Sequence, residues 1–273
     1  MKVAIQGIKG SYHHQVAIEF FSDDIEIDEC MSFDALIESL IDDKSDFGVM
    51  AIENSIAGSI IPNYSLIDKY GLSIIGEHYI NINHNLMVYP GVKLKDVKFI
   101  SSHPMALLQC KDFIKNSKKT IVEDRDTADV AKRIIENKII DTAAIASFQA
   151  SELYGLDIIE KNIQTITDNE TRFVIISKKS NKGDKLDLNK ASLKFILSHE
   201  NGSLAQILNI LANHNQNLTK IQSIPIIETP WKYSFFVDLT FKDYNNYKKA
   251  IDEVIKSSEL VKEFGVYLNF KSK

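Results

Sequence analysis

Val-Ala-Ile-Gln-Gly-Ile-Lys-Gly-Ser, residues 3–11, has the form of a short buried strand that ends in a glycine-bearing turn. Apolar residues then recur at helical spacing, so the stretch predicts a strand, a tight turn and a helix. Further strands are predicted at 47–52, 97–101, 121–123 and 143–146, with helical patterns at 33–40, 102–110, 126–134 and 147–153. Strands that alternate with helices indicate an α/β fold with a mostly parallel sheet.

The pattern changes after residue 178, where the chain becomes polar and loses apolar periodicity. This composition is typical of a linker. Beyond it we predict a strand at 193–197, a helix opened by Gly202 and Ser203, extended runs at 218–227 and 233–241, a helix at 244–255 and a strand at 261–270. The order βαββαβ is that of a ferredoxin-like unit. The predicted organisation is therefore a domain at 1–180, a linker at 181–190 and a second domain at 191–273.

Composition limits the class of protein. The chain has 273 residues and a formal charge of −5, which argues against a nucleic-acid partner because that needs a basic face. Cys30 and Cys110 are far apart and form no CxxC motif, so a disulfide scaffold or thiolate metal site is not expected. No run is apolar enough to span a membrane, and the first residues do not resemble a signal peptide. We therefore expect a soluble cytoplasmic protein.

Polar residues follow several predicted strands. The stretches are Gly10-Ser11-Tyr12, Glu53-Asn54-Ser55, Ser101-Ser102-His103 and Thr171-Arg172. In open α/β sheets ligands bind at the carboxyl ends of strands, where helix N-termini favour an anion. Each stretch alone could be only a cap or a turn. Together they indicate a small anionic ligand, while nucleotide-binding loops, zinc spacings and the GxSxG elbow are absent from the sequence.

Specific motifs extend along the chain. They are Gly-Ile-Lys-Gly-Ser-Tyr (7–12), Ala-Ile-Glu-Asn-Ser-Ile-Ala-Gly-Ser (51–59), Ser-His-Pro-Met-Ala-Leu-Leu-Gln-Cys (102–110), Ala-Ala-Ile-Ala-Ser (143–147), Leu-Tyr-Gly-Leu (153–156) and Asn-Glu-Thr-Arg-Phe (169–173). In this order they resemble bacterial prephenate dehydratases with a carboxy-terminal ACT domain. The resemblance implies two α/β lobes around a cleft, like type II periplasmic binding proteins, plus a ferredoxin-like ACT domain. It also implies conversion of prephenate to phenylpyruvate on the route to phenylalanine.

The resemblance marks Thr171 as the catalytic residue. A threonine is a poor acid, so we expect it to orient and hydrogen-bond the departing hydroxyl, with no metal or organic cofactor required. Thr171 could equally be a residue favoured at a strand start by β propensity. Arg172 could clamp a carboxylate or form a salt bridge between lobes, and strand alternation points it away from Thr171. Phe173 points the same way as Thr171, as a cleft wall or as core.

The predicted substrate-binding residues share a place at strand or helix ends. They are Ser11, Asn54, Ser55, Ser59, Ser101, His103, Arg172 and Phe173. His103 could transfer protons or simply cap a helix. Glu53 could be an acid or a helix-dipole partner. His13 and His14 diverge by about 100° on a helix, so they predict no metal site.

The second domain is similar to ACT modules, which the resemblance implies bind amino acids. The family's Gly-Ala-Leu-Val loop stands here as Gly202-Ser203-Leu204-Ala205, and its Glu-Ser-Arg-Pro motif as Gln222-Ser223-Ile224-Pro225. The predicted effector-binding residues, for phenylalanine, are Asn201, Gly202, Ser203, Leu204, Gln222 and Ser223. We also expect an exposed four-stranded sheet, with an apolar run at 233–239, to pair copies into a homodimer or homotetramer. The module could alternatively serve only this dimerisation.

Two other functions stay open at this point. An arogenate dehydratase acts on a substrate with an amine in place of the keto group, and would need an acidic partner, for which Glu53 is the one motif-borne candidate. A non-catalytic amino-acid sensor would use the same fold without turnover.

The altered ACT motif generates a prediction about regulation. Gln222 and Ile224 stand where the family carries charged residues, and an isoleucine cannot replace an arginine. We therefore expect phenylalanine to inhibit this chain weakly, as measured by titrating turnover with phenylalanine. Half-inhibition on the order of 1 µM would contradict this.

Overall fold

The structure is a computed structural model that describes residues 1–180, 188–226, 229 and 232–272. It divides into two compact units. The first unit comprises Met1–Gly58 and Tyr79–Phe173, and the second comprises Ser59–His78 and Val174–Lys273. No helix among the described residues is long and apolar enough to cross a membrane.

The elements before the predicted linker are β1 (Lys2–Gln6), α1 (Tyr12–Phe21), β2 (Glu26–Cys30), α2 (Phe33–Ile41), β3 (Phe47–Asn54), β4 (Gly58–Ser59), α3 (Ile61–Lys69), β5 (Ser73–Asn81), β6 (Asn85–Val88), β7 (Phe99–Ser102), α4 (Pro104–Gln109), α5 (Lys111–Ser117), β8 (Thr120–Glu123), α6 (Thr127–Glu136), β9 (Thr142–Ala146), α7 (Phe148–Tyr154), β10 (Asp157–Glu160) and β11 (Glu170–Ser177). The elements that follow are β12 (Lys190–Ile196), α8 (Ser203–Asn213), β13 (Asn217–Pro225), β14 (Tyr233–Thr240), α9 (Tyr244–Lys256) and β15 (Leu260–Tyr267).

The first lobe is built on the opening strand–turn–helix. β1 pairs in parallel with β2 and β3, and Val3, Ala4 and Ile5 are completely buried. The full strand order of this sheet is β2-β1-β3-β11-β5, with β4 beside β3. The helix start at α2 is capped by Ser32, whose hydroxyl accepts from Ala35 N–H at 3.1 Å.

The second lobe contains a mixed sheet of order β10-β6-β9-β7-β8. β7 is parallel to β8 and β9, whereas β6 is antiparallel to β9 and β10. The prediction of a mostly parallel sheet therefore holds for β2, β1 and β3 but is wrong for this lobe. β6 and β10 escaped prediction because each has only four residues, too few to show a clear alternating pattern. Apolar residues of α6 and α7 pack on one face, and those of α4 on the other.

The βαββαβ order predicted for the C-terminal region is confirmed. Its strands form an antiparallel sheet of order β13-β14-β12-β15. α8 and α9 cover one face, and Leu193, Val237, Leu239 and Tyr247 belong to the core between helices and sheet. Residues 181–187 of the predicted linker lie outside the described residues, and Lys190 is already the first residue of β12.

The expectation that this sheet exposes its other face is wrong. α3 and the first part of β5, both in the second unit, lie on that face. Tyr64 packs edge-on against Phe236 with ring centroids 5.3 Å apart. At Gly265 a Cβ would lie 1.9 Å from the Ile74 carbonyl oxygen, so only glycine permits this approach. The sequence did not predict α3 or β5, so it could not predict that they cover this face of the sheet.

Buried and partly buried ion pairs connect α3 and β5 to the sheet. Lys190 Nζ contacts Glu77 Oε1 at 3.0 Å and Oε2 at 2.7 Å, and the two side chains are 5% and 0% exposed. Asp68 on α3 is paired with Lys194 and, at 2.7 Å, with Lys262. Burial acts to raise the Asp68 pKa, but the bonds from both lysines outweigh it, so this pKa lies below its ordinary value. These pairs fasten α3 and β5 to the sheet.

The Glu77–Lys190 pair provides a stability test. Lys190→Met leaves a buried carboxylate without its cation, and we expect the free energy of unfolding to fall by about 3–5 kcal/mol. Urea unfolding followed by circular dichroism measures this. The double variant Glu77→Gln/Lys190→Met should recover more than half of the loss.

Lys44→Met is the matched control, because Lys44 makes an exposed ion pair with Asp42. Unfolding of this variant should match that of wild type. If Lys190→Met and the double variant lost the same free energy of unfolding, the unpaired Glu77 carboxylate would not be the cause of the loss.

Candidate active site

The turn after β1 contacts α7 and its N-cap Ser147 within the first unit. Ser147 Oγ donates to the Gly10 carbonyl at 2.6 Å, and Tyr154 OH donates to the Lys9 carbonyl at 2.6 Å. Gly10 has φ +89°, and a Cβ there would lie 3.2 Å from Ala150 Cα. A side chain at position 10 would therefore push the two lobes apart.

Asn54, at the end of β3, is the centre of a buried hydrogen-bond cluster. Its Oδ1 accepts from Ile56 N–H at 3.0 Å and Ala57 N–H at 2.8 Å. Its Nδ2 donates to Asn169 Oδ1 at 2.6 Å and to Thr171 Oγ1 at 2.9 Å. Because two backbone donors face one side of the amide and acceptors face the other, the orientation of the amide is fixed.

This geometry defines what Thr171 can do. Its Oγ1 accepts from Asn54, so the hydroxyl hydrogen has to point to another acceptor. A hydroxyl that already accepts a hydrogen bond is a better donor, and burial strengthens the effect. Thr171 is 7% exposed, and its hydroxyl is consequently a preset donor.

Ser55 joins the same two strands. Its Oγ accepts from Glu170 N–H at 2.9 Å, and its N–H donates to the Glu170 carbonyl at 2.8 Å. The structure therefore brings Asn54, Ser55 and Thr171 together, as three of the predicted residues. Asn169 is a fourth member that sequence reasoning did not assign, although it stands in the quoted 169–173 motif.

The next two residues of β11 are also buried. Arg172 is 4% exposed, and Phe173 packs edge-on against His13 at 4.9 Å. Burial lowers the pKa of His13 to about 3, so this imidazole is neutral and its Nε2 can accept from Ala51 N–H at 3.4 Å. Phe173 therefore forms part of an aromatic cluster with His13.

Two predicted residues are helix caps. Ser11 Oγ accepts from His14 N–H at 3.3 Å at the start of α1. His103 is exposed and its Nδ1 accepts from Met105 N–H at 3.2 Å at the start of α4. Capping was the alternative that the sequence left open for both.

Three further residues have other surroundings. Ser101 lines a 290 Å³ cavity of the second lobe, together with Asp124 and Arg133. Ser59 belongs to the second unit, where its Oγ accepts from Lys220 Nζ at 2.8 Å. Glu53 lies inside β3 and not at a helix start, so the interpretation as a helix-dipole partner is wrong.

A pocket of 360 Å³ adjoins the Asn54 cluster, within the range of small-molecule sites. It is lined by Ile56, Ala57, Met105, Leu108, Gln109, Lys111, Thr165 and Ile166. Asn54 Oδ1 accepts hydrogen bonds from the N–H groups of Ile56 and Ala57, so these two residues belong both to the pocket lining and to the Asn54 cluster. Among these described lining residues there is one cation and no carboxylate.

Gln109 is a pocket residue to which sequence reasoning gave no role. His84 Nε2 lies 2.8 Å from Gln109 Oε1, and Tyr12 OH lies 3.2 Å from His84 Nδ1. Burial lowers the pKa of His84, against a smaller opposing effect of Gln109, so the ring is neutral. With the assigned amide orientation, Nε2–H donates to Gln109 and leaves the Gln109 amino group for other acceptors. No local sequence signal marks His84.

A family model described as prephenate dehydratase matches residues 3–181. The chain belongs to the prephenate dehydratase family. A prephenate dehydratase of Methanocaldococcus jannaschii is 34% identical over 256 residues, covering 92% of this chain and 90% of the relative. An arogenate dehydratase/prephenate dehydratase of Arabidopsis thaliana is 34% identical over 275 residues, covering 98% and 71%.

Solved structures agree on the fold. The prephenate dehydratase of Staphylococcus aureus has a TM-score of 0.84 at 25% identity, covering 98% of this chain and 100% of that one. GqqA, described as a novel type of quorum quenching acylases, has a TM-score of 0.88 at 28% identity and covers both chains fully. The predicted fold class of this prephenate dehydratase family member is thus confirmed, while function has to be argued from the site.

Proposed function

We propose that this chain is a prephenate dehydratase, a lyase that converts prephenate to phenylpyruvate, carbon dioxide and water in phenylalanine biosynthesis. The observation that carries the proposal is the Asn54–Thr171 hydrogen bond at 2.9 Å. It makes the Thr171 hydroxyl an available donor in a buried position. Membership of the family and the adjoining pocket support the same conclusion.

The reaction requires a hydrogen-bond donor at the departing hydroxyl. The bond from the ring carbon to its hydroxyl breaks, the ring carboxylate leaves as carbon dioxide, and its electron pair completes the aromatic ring. The departing oxygen takes up one proton and leaves as water. Thr171 donates a hydrogen bond to this oxygen and orients it without ionising. The proton that balances the reaction comes from solvent.

The pocket suits a dianion that must lose one carboxylate. The Gln109 amino group and Lys111 supply donors for the side-chain carboxylate. Met105, Leu108 and Ile166 provide an apolar wall. A carboxylate placed against such a wall is poorly solvated, which favours its departure as neutral carbon dioxide.

The charge of the pocket favours prephenate over arogenate. Arogenate differs by an ammonium group, which would need an acidic partner and would be repelled by Lys111. The described residues that line the pocket supply no such acid. The name of the Arabidopsis relative keeps arogenate as the second substrate to be assayed.

The other predicted binding residues stay part of the proposal. Ser11, Ser55, Ser59, Ser101, His103, Arg172 and Phe173 remain candidates for substrate contact, with Asn54 as the residue that holds Thr171. We further propose the domain limits 1–180 and 191–273, an ACT role for the second domain and a cytoplasmic location. A homodimer or homotetramer is proposed as the assembly.

The effector role is proposed for the start of α8 and for β13. Gly202, at φ +86°, precedes α8, and no side chain caps this helix start among the described residues. Ser203 N–H donates to the Glu200 carbonyl at 3.3 Å, so we propose that the next N–H groups of the first turn receive a ligand carboxylate. Gln222 Nε2 donates to the neighbouring Ser223 carbonyl at 3.0 Å. An amide already bonded within its own strand supports the weak response to phenylalanine expected from the sequence.

Thr171→Val tests the proposed function. Valine keeps the shape but removes the hydroxyl, so we expect kcat with prephenate to fall by about 10²–10⁴-fold. Formation of phenylpyruvate, followed by its absorbance, measures this. Thr171→Ser retains Oγ and should keep most of the activity.

The assay also separates the alternatives. Turnover of arogenate alone would support an arogenate dehydratase. Tight binding of prephenate or arogenate without turnover by wild type would support a sensor. Full activity in Thr171→Val would remove Thr171 from the mechanism.

Lys111→Met tests the proposed preference between substrates. Loss of an exposed cation should lower the ratio of kcat/KM for prephenate to that for arogenate by about 2- to 5-fold. Lys115→Met, on the same helix but outside the pocket lining, is the matched control and should leave the ratio unchanged. An unchanged ratio in Lys111→Met would show that selectivity lies elsewhere.

A further inference from the structure

Asn169 occupies an unusual place beside Thr171. It is completely buried, its carbonyl accepts from Ile82 N–H at 2.7 Å, and its Oδ1 accepts from Asn54 Nδ2 at 2.6 Å. Its own Nδ2 has no acceptor among the described residues. The side chain thus makes its short bond through its oxygen, while its two amide hydrogens meet no acceptor in the part of the chain that the structure describes.

Stability alone does not explain an asparagine here. A buried amide nitrogen without an acceptor costs free energy, which an apolar side chain would avoid. Proteins keep such costs mainly where function needs them. Among the described residues, the hydrogen-bond partner of the Asn169 side chain is Asn54, which in turn holds Thr171.

The two hydrogens on Asn54 Nδ2 explain what this bond does. One points to Asn169 Oδ1, and the other to Thr171 Oγ1, with the Glu170 carbonyl 3.3 Å away as a competing acceptor. If the Asn169 oxygen were removed, the amide could tilt toward Glu170 and weaken its bond to Thr171. The Thr171 hydroxyl would then be free to rotate and would no longer be a preset donor.

We propose that Asn169 is a positioning residue that holds the Asn54 amide so that Thr171 donates toward the substrate. The catalytic part of this inference rests on the proposed dehydratase function. Its structural part, control of the Asn54–Thr171 bond, does not.

Asn169→Leu is the decisive variant, because leucine keeps a similar branched shape but has no acceptor. We expect kcat with prephenate to fall by about 10- to 100-fold, as for a misplaced catalytic group, while KM changes by less than about 2-fold. The thermal midpoint should change little, because loss of an unpaired amide offsets the acceptor lost to Asn54. Asn169→Asp keeps an oxygen within reach of Asn54 and should retain more activity than Asn169→Leu.

Ser39→Ala is the control for a purely structural role. Ser39 is buried on α2 and bonded to Ser45 Oγ at 2.9 Å, outside the candidate site. Its removal should lower the thermal midpoint and leave kcat unchanged. If Asn169→Leu behaved like Ser39→Ala, Asn169 would be structural and the proposal would be wrong.

A crystal structure of Asn169→Leu gives a readout that does not depend on turnover. We expect the separation of Asn54 Nδ2 and Thr171 Oγ1 to exceed about 3.5 Å, from 2.9 Å here. An unchanged separation would overturn the proposal even if activity fell. Absence of turnover in wild type would instead overturn the proposed function and leave this structural comparison valid.

Discussion

The hydrogen bonds of the Asn54 side chain are the constraint on which the candidate site depends. They join the end of β3 to the start of β11, segments that are 115 residues apart for Asn54 and Asn169. The amide meets backbone donors on one side and acceptors on the other, so it has one satisfied orientation. Buried polar groups are costly unless paired, and this requirement makes the cluster rigid. A fixed amide is what turns the ordinary hydroxyl of Thr171 into a directed donor.

The pocket beside this cluster combines an apolar wall with few polar groups. Such a site can hold an anion at one end and leave another carboxylate poorly solvated. Gln109 depends on a neutral His84 for its orientation, just as Thr171 depends on Asn54. In both cases a neutral donor is oriented by a second side chain, His84 or Asn54, that does not line the pocket. The chemistry needs placed donors rather than a strong acid, and the fold provides placement.

In the second unit, both faces of the four-stranded sheet are covered. A four-stranded sheet with helices on one face needs a cover for the other, and α3 with β5 supplies it. Apolar contact alone would allow this layer to slide. The buried Glu77–Lys190 pair and the contacts of Asp68 with two lysines fix its register, since misaligned charges would be left unpaired.

Much of the fold follows from local patterns in the sequence. Helical spacing and the βαββαβ order needed only neighbours along the chain, and the motif around Thr171 pointed to the family. Short buried strands such as β6 left no such pattern. Only the tertiary structure showed that Asn169 bonds to Asn54, that His84 bonds to Gln109, that the C-terminal sheet is covered, and that Ser11 caps α1. The physical reason is that amide orientation, burial and ring protonation are set by groups brought together from distant segments, which local periodicity does not encode.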